Sequence, residues 1–243
     1  MREDRAAAPS LGRNLTYGML NSLGRAIVTG QYRDRAFPTE AEIAKMHGVS
    51  RSVTREAVKM LTAKGLVSAR PRQGTIVQPS ASWNLFDTDV LRWLLERQFS
   101  IDLLRQFTQL RIAIEPEAAA LAARHGDAAA HRSIELRLDG MKQAERGRGD
   151  ALEADIAFHV AVLQASRNPF YAQFRDVVAT ALAKSIRFTN RIKGHSASIA
   201  EHQAVTDAIL SRDADEARRR MRQLIGNVMT LIENAEPDDT GEL

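Results

Sequence analysis

The sequence predicts a mostly α-helical protein in two parts: three helices and a small hairpin, followed by a longer all-helical region. Three observations predict this. Aromatic residues are only 5% of the 243, alanine is abundant and β-branched runs are rare, which favours helix over sheet. Two short strands, 66–70 and 75–77, flank Arg72-Gln73-Gly74 and read as a hairpin. Beyond residue 82 apolar residues recur at helical spacing, punctuated by Gly126, Gly147-Arg148-Gly149, Asn168-Pro169 and Gly194.

The elements follow in order. Residues 1–13 are polar with Ala and Pro and read as a mobile arm. Asn14 is placed to cap a helix with Leu15, Met19, Leu20, Leu23, Ile27 and Val28 on one face, stopped by Gly30. Pro38-Thr39 opens a short second helix ending at His47-Gly48. Ser50 caps a third, which carries Val53, Ala57, Met60 and Leu61 inward and ends at Lys64-Gly65. These three helices and the hairpin make a domain over 14–78 in the order of a winged helix-turn-helix. A linker is expected over 79–87 and a helical domain over 88–235. Its helices are predicted near 88–97, 101–124, 128–147, 150–166, 169–192, 198–211 and 214–235, with a kink at Pro116. Residues 236–243 form a polar tail.

Composition and charge narrow the function classes. There is no cysteine, which excludes disulfide scaffolds, thiol nucleophiles and thiolate metal sites and suits a reducing cytoplasm. No apolar stretch is long enough for a membrane span, and the charged start, Met1 to Arg5, leads into no secretion signal. Residues 1–80 hold 13 Lys and Arg against 6 Asp and Glu, whereas 81–243 hold 21 against 24. A basic first third fits a nucleic-acid module joined to a different one; the alternative is a solvated basic face.

Within the first part, Pro38 to Ala44, Gly48 to Ala57, Leu61, Gly65 to Val67 and Gly74-Thr75 resemble the helix-turn-helix of the GntR family of bacterial transcription regulators. The resemblance spans about 15–78. It implies that double-stranded operator DNA is met by Thr39, Ser50, Arg51, Ser52, Thr54 and Arg55, and by the wing residues Arg72, Gln73 and Gly74. The physics agrees: the first turns of a reading helix enter the major groove, where arginine forks onto guanine and Ser or Thr reach phosphate. Ala41 departs from the family, which often has Arg there.

In the second part Asp155 and His159 are spaced i and i+4 and so point to one side of a helix, while Glu201-His202 opens a later one. Asp155 to His159 and Glu201 to Val205 resemble the FCD sensor domain of the FadR-like subfamily, an antiparallel helical bundle. The resemblance implies a divalent metal ion on Asp155, His159 and His202, with Zn, Ni and Mn equally suited to imidazole and carboxylate. The fourth family ligand, a His, is replaced by Leu224, and His195 is a possible substitute. The alternative is a plain helical pair of Asp155 with His159. The resemblance also implies that Arg111 clamps an acid effector; the alternative for Arg111 is an internal ion pair with Glu115. Arg187 and Arg191 share one face of a later helix and are further effector candidates; the alternative is that both are solvated.

Ser82 to Trp93, with its Trp-Asn and Asp-Thr-Asp-Val-Leu pattern, resembles the interdomain linker of sugar-acid regulators of the galactonate-repressor type. The function expected is a cytoplasmic, homodimeric, ligand-responsive DNA-binding regulator and not an enzyme. It would be a repressor of sugar-acid catabolism released by a small hydroxy-acid or carboxylate effector, a hexonate such as galactonate. The alternatives are a metal-dependent hydrolase of a sugar-acid derivative, or a regulator of another carboxylic-acid pathway with a structural metal.

Overall fold

The computed structural model describes residues 8–33, 35–70, 74–97, 101–193 and 198–234, with the backbone alone over 8–14, 97 and 187–193. The chain forms two compact units, 1–98 and 99–243.

The first unit holds α1 (Ala8–Val28), α2 (Glu40–His47), α3 (Arg51–Ala63), β1 (Val67–Arg70), β2 (Gly74–Val77), a 3-10 turn (Ser80–Ser82) and α4 (Thr88–Arg97). Leu20, Leu23 and Ile27 fall on one face of α1 and meet Ile43 of α2, Ala57 and Leu61 of α3, and Leu66 and Val67 in one buried cluster. The strands pair antiparallel, with Val67 opposite Val77 and Arg70 opposite Gly74. Gly65, at φ 75°, ends α3 where an added Cβ would lie 2.3 Å from the Ser82 carbonyl oxygen, so both the turn and the close approach require glycine.

Two expectations are corrected here. Helix α1 begins at Ala8, six residues before Asn14, so Asn14 is not its cap and residues 8–13 are not an arm. Pro9 does not prevent this, because the first helical turn donates no amide hydrogen bond within the helix. Helix α4, grouped by sequence with the helical domain beyond an 79–87 linker, packs instead on α1 in the first unit. Trp93 is 1% exposed, donates from Nε1 to Asn21 Oδ1 at 2.6 Å and covers Gly24, whose missing side chain makes room for the indole. Lys64 Nζ binds Asp87 at 2.7 Å and Asp89 at 2.9 Å, tying the end of α3 to the start of α4.

Among its described residues the second unit has helices joined by turns and no strand: α5 (Ile101–His125), α6 (Ala128–Glu145), α7 (Ala151–Ala165), α8 (Pro169–Gln173), α9 (Arg175–Lys193), α10 (Ile199–Leu210) and α11 (Ala214–Glu233). Helix α5 runs on through Pro116. The single helix expected over 169–192 is two. The Phe174 amide turns to the Tyr171 carbonyl at 3.1 Å, a tight i to i+3 bond that interrupts the α-ladder before Arg175. The core takes Leu104 from α5, Ile134 from α6, Phe158 and Leu163 from α7, Leu182 from α9, Ile209 from α10 and Met221 and Ile225 from α11. No described helix is long and apolar enough to cross a membrane.

Candidate functional site

The candidate nucleic-acid interface is the α2–turn–α3 segment. Thr39 caps α2 reciprocally with Glu42: its Oγ1 accepts from the Glu42 amide, and a Glu42 carboxylate oxygen takes the Thr39 amide and hydroxyl, each at 2.8 Å. Those hydrogen bonds hold the Glu42 carboxyl below its usual value. Gly48 ends α2, and Ser50 Oγ accepts the Val53 amide to open α3. Arg51, Ser52 and Arg55 are exposed on the first turns, Arg55 beside Glu40 at 3.4 Å. Thr54 does not join them. It is fully buried, its hydroxyl donates to the Ser50 carbonyl at 3.2 Å, and it shares a face with Ala57, Val58 and Leu61. Position alone within the first turn misled the sequence reading; its spacing of three, four and seven from those buried residues was the available signal. Gly74, at φ 78°, opens β2 in the turn conformation expected of it. Arg72 and Gln73 lie outside the described residues.

The second unit brings together all three residues read as metal ligands. Asp155 and His159 project from α7 and His202 from the first turn of α10, a helix capped by Ser198. All three are buried, and their ligand atoms lie within 4.8 Å of one another. His159 Nε2 and His202 Nε2 each sit 3.3 Å from Asp155 Oδ1. The opposite ring edges are held: His159 Nδ1 lies 2.6 Å from Glu115 Oε2, and His202 Nδ1 lies 2.8 Å from the Ser198 carbonyl. An ionised carboxylate and a carbonyl only accept, so each Nδ1 carries a proton and each ring turns its Nε2 toward Asp155 Oδ1. Phe158 packs edge-on against His202 at 4.9 Å between centroids and shields the cluster.

Two Nε2 atoms facing one carboxylate oxygen call for a cation between them, a proton or a metal ion. Asp155 Oδ1 and His202 Nε2 are the buried side-chain atoms without a hydrogen-bond partner among the described residues. The donor set therefore fits a divalent ion, and the outer partners Glu115 and the Ser198 carbonyl orient the two rings for it.

Arg111 and Glu115, one turn apart on α5, extend the cluster. Arg111 Nε lies 2.5 Å from Glu115 Oε1, so the internal ion pair weighed from sequence is present. Its Nη2 also reaches 3.3 Å from both ring nitrogens of His159. Burial pushes the Glu115 carboxyl up, but Arg111 and then His159 outweigh it and hold it at about 2. Burial likewise opposes ionisation of Asp155, but the two histidine rings beside it outweigh burial and keep it well below the carboxylate range. Sequence reasoning named Glu115 only as a partner for Arg111 and missed its bond to His159, which needs the α5–α7 packing to be seen. Leu224 is buried on α11. Arg187 and Arg191 lie on the α9 backbone, but their side chains, and all of His195, fall outside the described residues.

Residues 20–77 match the family of bacterial regulatory proteins, gntR family, and residues 106–227 match the FCD domain. The chain is 34% identical over 217 residues to YieP of Escherichia coli (strain K12), an uncharacterized HTH-type transcriptional regulator, covering 88% of this chain and 93% of that protein. The chain belongs to the GntR family. This GntR-family chain is also 32% identical over 219 residues to the galactonate operon transcriptional repressor of the same organism, covering 88% and 95%. Among solved structures it matches Lar, which controls expression of the Listeria monocytogenes agr system, with a TM-score of 0.54 at 17% identity, covering 91% and 97%. That likeness supports the fold: a mostly helical chain with a two-stranded wing.

Proposed function

We propose that this GntR-family chain is a cytoplasmic, homodimeric repressor that leaves its operator when a small hydroxy acid of the sugar-acid class binds the FCD domain. Arg51, Ser52 and Arg55 meet the DNA, with Thr39 and Ser50 holding the helix ends that present them. Asp155, His159 and His202 hold a divalent ion, Zn, Ni or Mn. When bound, the ion supplies a positive, Lewis-acidic docking point for a carboxylate or hydroxyl. Arg111 stands beside it with guanidinium N–H groups left over from its pair with Glu115.

The observation that carries the sensor reading is the pair of buried, unpartnered atoms, Asp155 Oδ1 and His202 Nε2, facing one another in the second unit. The curated relatives are named for galactonate, L-lactate and uxu operons, which supports the acid class. The effector shifts the dimer only if it binds its DNA-free arrangement more tightly than its DNA-bound one.

The test combines elemental analysis of protein purified without chelator with operator release by galactonate. His159→Ala and His202→Ala should lose the metal and the release while keeping operator affinity. Arg51→Ala should weaken operator binding by about 1–3 kcal/mol, the worth of one good base contact. A metal-free wild type, with both histidine variants still releasing DNA on adding galactonate, would sink the metal reading and leave a helical packing cluster; no release from the wild type would sink the choice of effector.

A further inference from the structure

We propose that Glu40 is a positioning residue for DNA reading: it holds Arg55 by one edge of the guanidinium and turns it from phosphate toward base. The inference rests on the DNA-contact reading of Arg55 above and deepens it.

The two arginines on the exposed first turns of α3 are not equivalent. Arg51 has no ion-pair partner among the described residues. Arg55, one turn on, donates from Nε to Glu40 Oε2 at 3.4 Å, reaching from α3 to the first residue of α2. The other acid on this stretch of α3, Glu56, faces Lys59 at 3.9 Å instead. Glu40 is not needed to start α2, because Thr39 and Glu42 already cap each other there. Its carboxylate is therefore available to Arg55, and side-chain exposures of 63% for Arg55 and 37% for Glu40 leave the pair open to an incoming duplex.

A guanidinium is a planar fork of N–H donors. Glu40 takes the Nε edge and leaves both Nη groups, which make no hydrogen bond among the described residues, for a two-pronged contact with guanine. The tether also restricts a long, rotamer-rich side chain before the base is met, which lowers the ordering cost of the contact. In water such an exposed pair is weak; at a duplex surface, where water is excluded, the attraction grows. The carboxylate has a second effect. It is an anion on a surface that meets phosphates, and it matches the charge of Arg55, so this arginine displaces little counterion from the DNA backbone. Non-specific binding is weakened, while a site that offers Arg55 a base is not.

The experiment is fluorescence anisotropy on the full-length chain with two probes: a duplex that the wild type enriches from a random pool, and the same duplex scrambled. Glu40→Gln keeps the shape and removes the charge. Its affinity for the scrambled duplex should rise, with a slope of log affinity against log salt steeper by about one. The ratio of enriched to scrambled affinity should fall about fivefold or more, within the worth of one base contact. Repeating the selection with the variants should relax the same base pair in Glu40→Gln and Arg55→Ala, and not in Arg51→Ala. Glu40→Asp, which keeps the charge but shortens the reach by one methylene, should relax that base pair without steepening the salt slope. An unchanged ratio in Glu40→Gln, or the same fold loss when Glu40→Gln is added to Arg55→Ala, overturns the inference and leaves Arg55 as a DNA contact. Wild-type affinity of Arg55→Ala for the enriched duplex, or a wild type that enriches no duplex, overturns both.

Discussion

The cluster Arg111, Glu115, His159, Asp155 and His202 alternates donors and acceptors across three helices, and its behaviour with pH follows from single residues. Burial pulls the His159 ring down, but Glu115 outweighs this, with Asp155 assisting, so its pKa lies above the ordinary 6.5. A raised histidine stabilises the metal-free fold in full below 6.5, and that contribution is lost as pH rises through the folded value. Glu115 has the opposite sign: its contribution is present above the ordinary 4.5 and is lost as pH falls toward about 2. Metal must displace the proton on His159, so the two effects of rising pH add. The melting-temperature gain from added Zn should be larger at pH 8 than at pH 6, measured by differential scanning fluorimetry; an equal or smaller gain at pH 8 would remove the metal from this cluster. Asp155 and His159 were legible as a pair because one helical turn separates them. The proton-holding role of Glu115 was not, because it depends on which face of α5 meets α7.

Helices carry their own lesson through α4. Its apolar pattern, Val90, Leu91, Trp93 and Leu95, marks a buried face but not the element that buries it. Sequence drew the helix with its neighbours downstream; the indole of Trp93 and the Lys64 bridge to Asp87 and Asp89 place it on α1 and α3. Two glycines of α1 test this docking with opposite signs. At Gly24 an added Cβ would lie 2.3 Å from the Trp93 ring, so Gly24→Ala must displace α4 and should cost about 1–3 kcal/mol. At Gly18 nothing lies within 4 Å, and alanine should stabilise by about 0.5–1 kcal/mol through helix propensity. Urea melts of the two variants check the pair. A Gly24→Ala protein as stable as wild type would mean that α4 is not seated there.

For the molecule as a whole, the division into units was legible where chemistry changes and blurred where it does not. The start of α2 at Pro38-Thr39, the cap at Ser50 and the hairpin around Gly74 all read correctly. The boundary was misplaced by about one helix because α4 has the composition of the helices that follow it. The second unit has its own core, built on Leu104, Ile134, Phe158, Leu163, Leu182, Ile209 and Ile225, and it contains every residue of the metal cluster. A fragment of residues 99–243 should therefore fold alone and bind one divalent ion with the affinity of the full chain. Circular dichroism and a chelator competition measure this, and a fragment that unfolds or loses the ion would refute the independence of the unit.

The turn at Gly65 bears on how genetic screens of this regulator are read. With φ at 75° and the Ser82 carbonyl pressed against the missing side chain, no other amino acid is tolerated without moving the backbone. Loss-of-repression alleles should accumulate at codon 65 although the residue lies outside α3, the wing strands and the Asp155–His159–His202 cluster. Such alleles would report a collapsed hinge between the reading helix and the wing. A map of the functional surface drawn from null alleles alone would draw codon 65 into an interface on the strength of a backbone constraint.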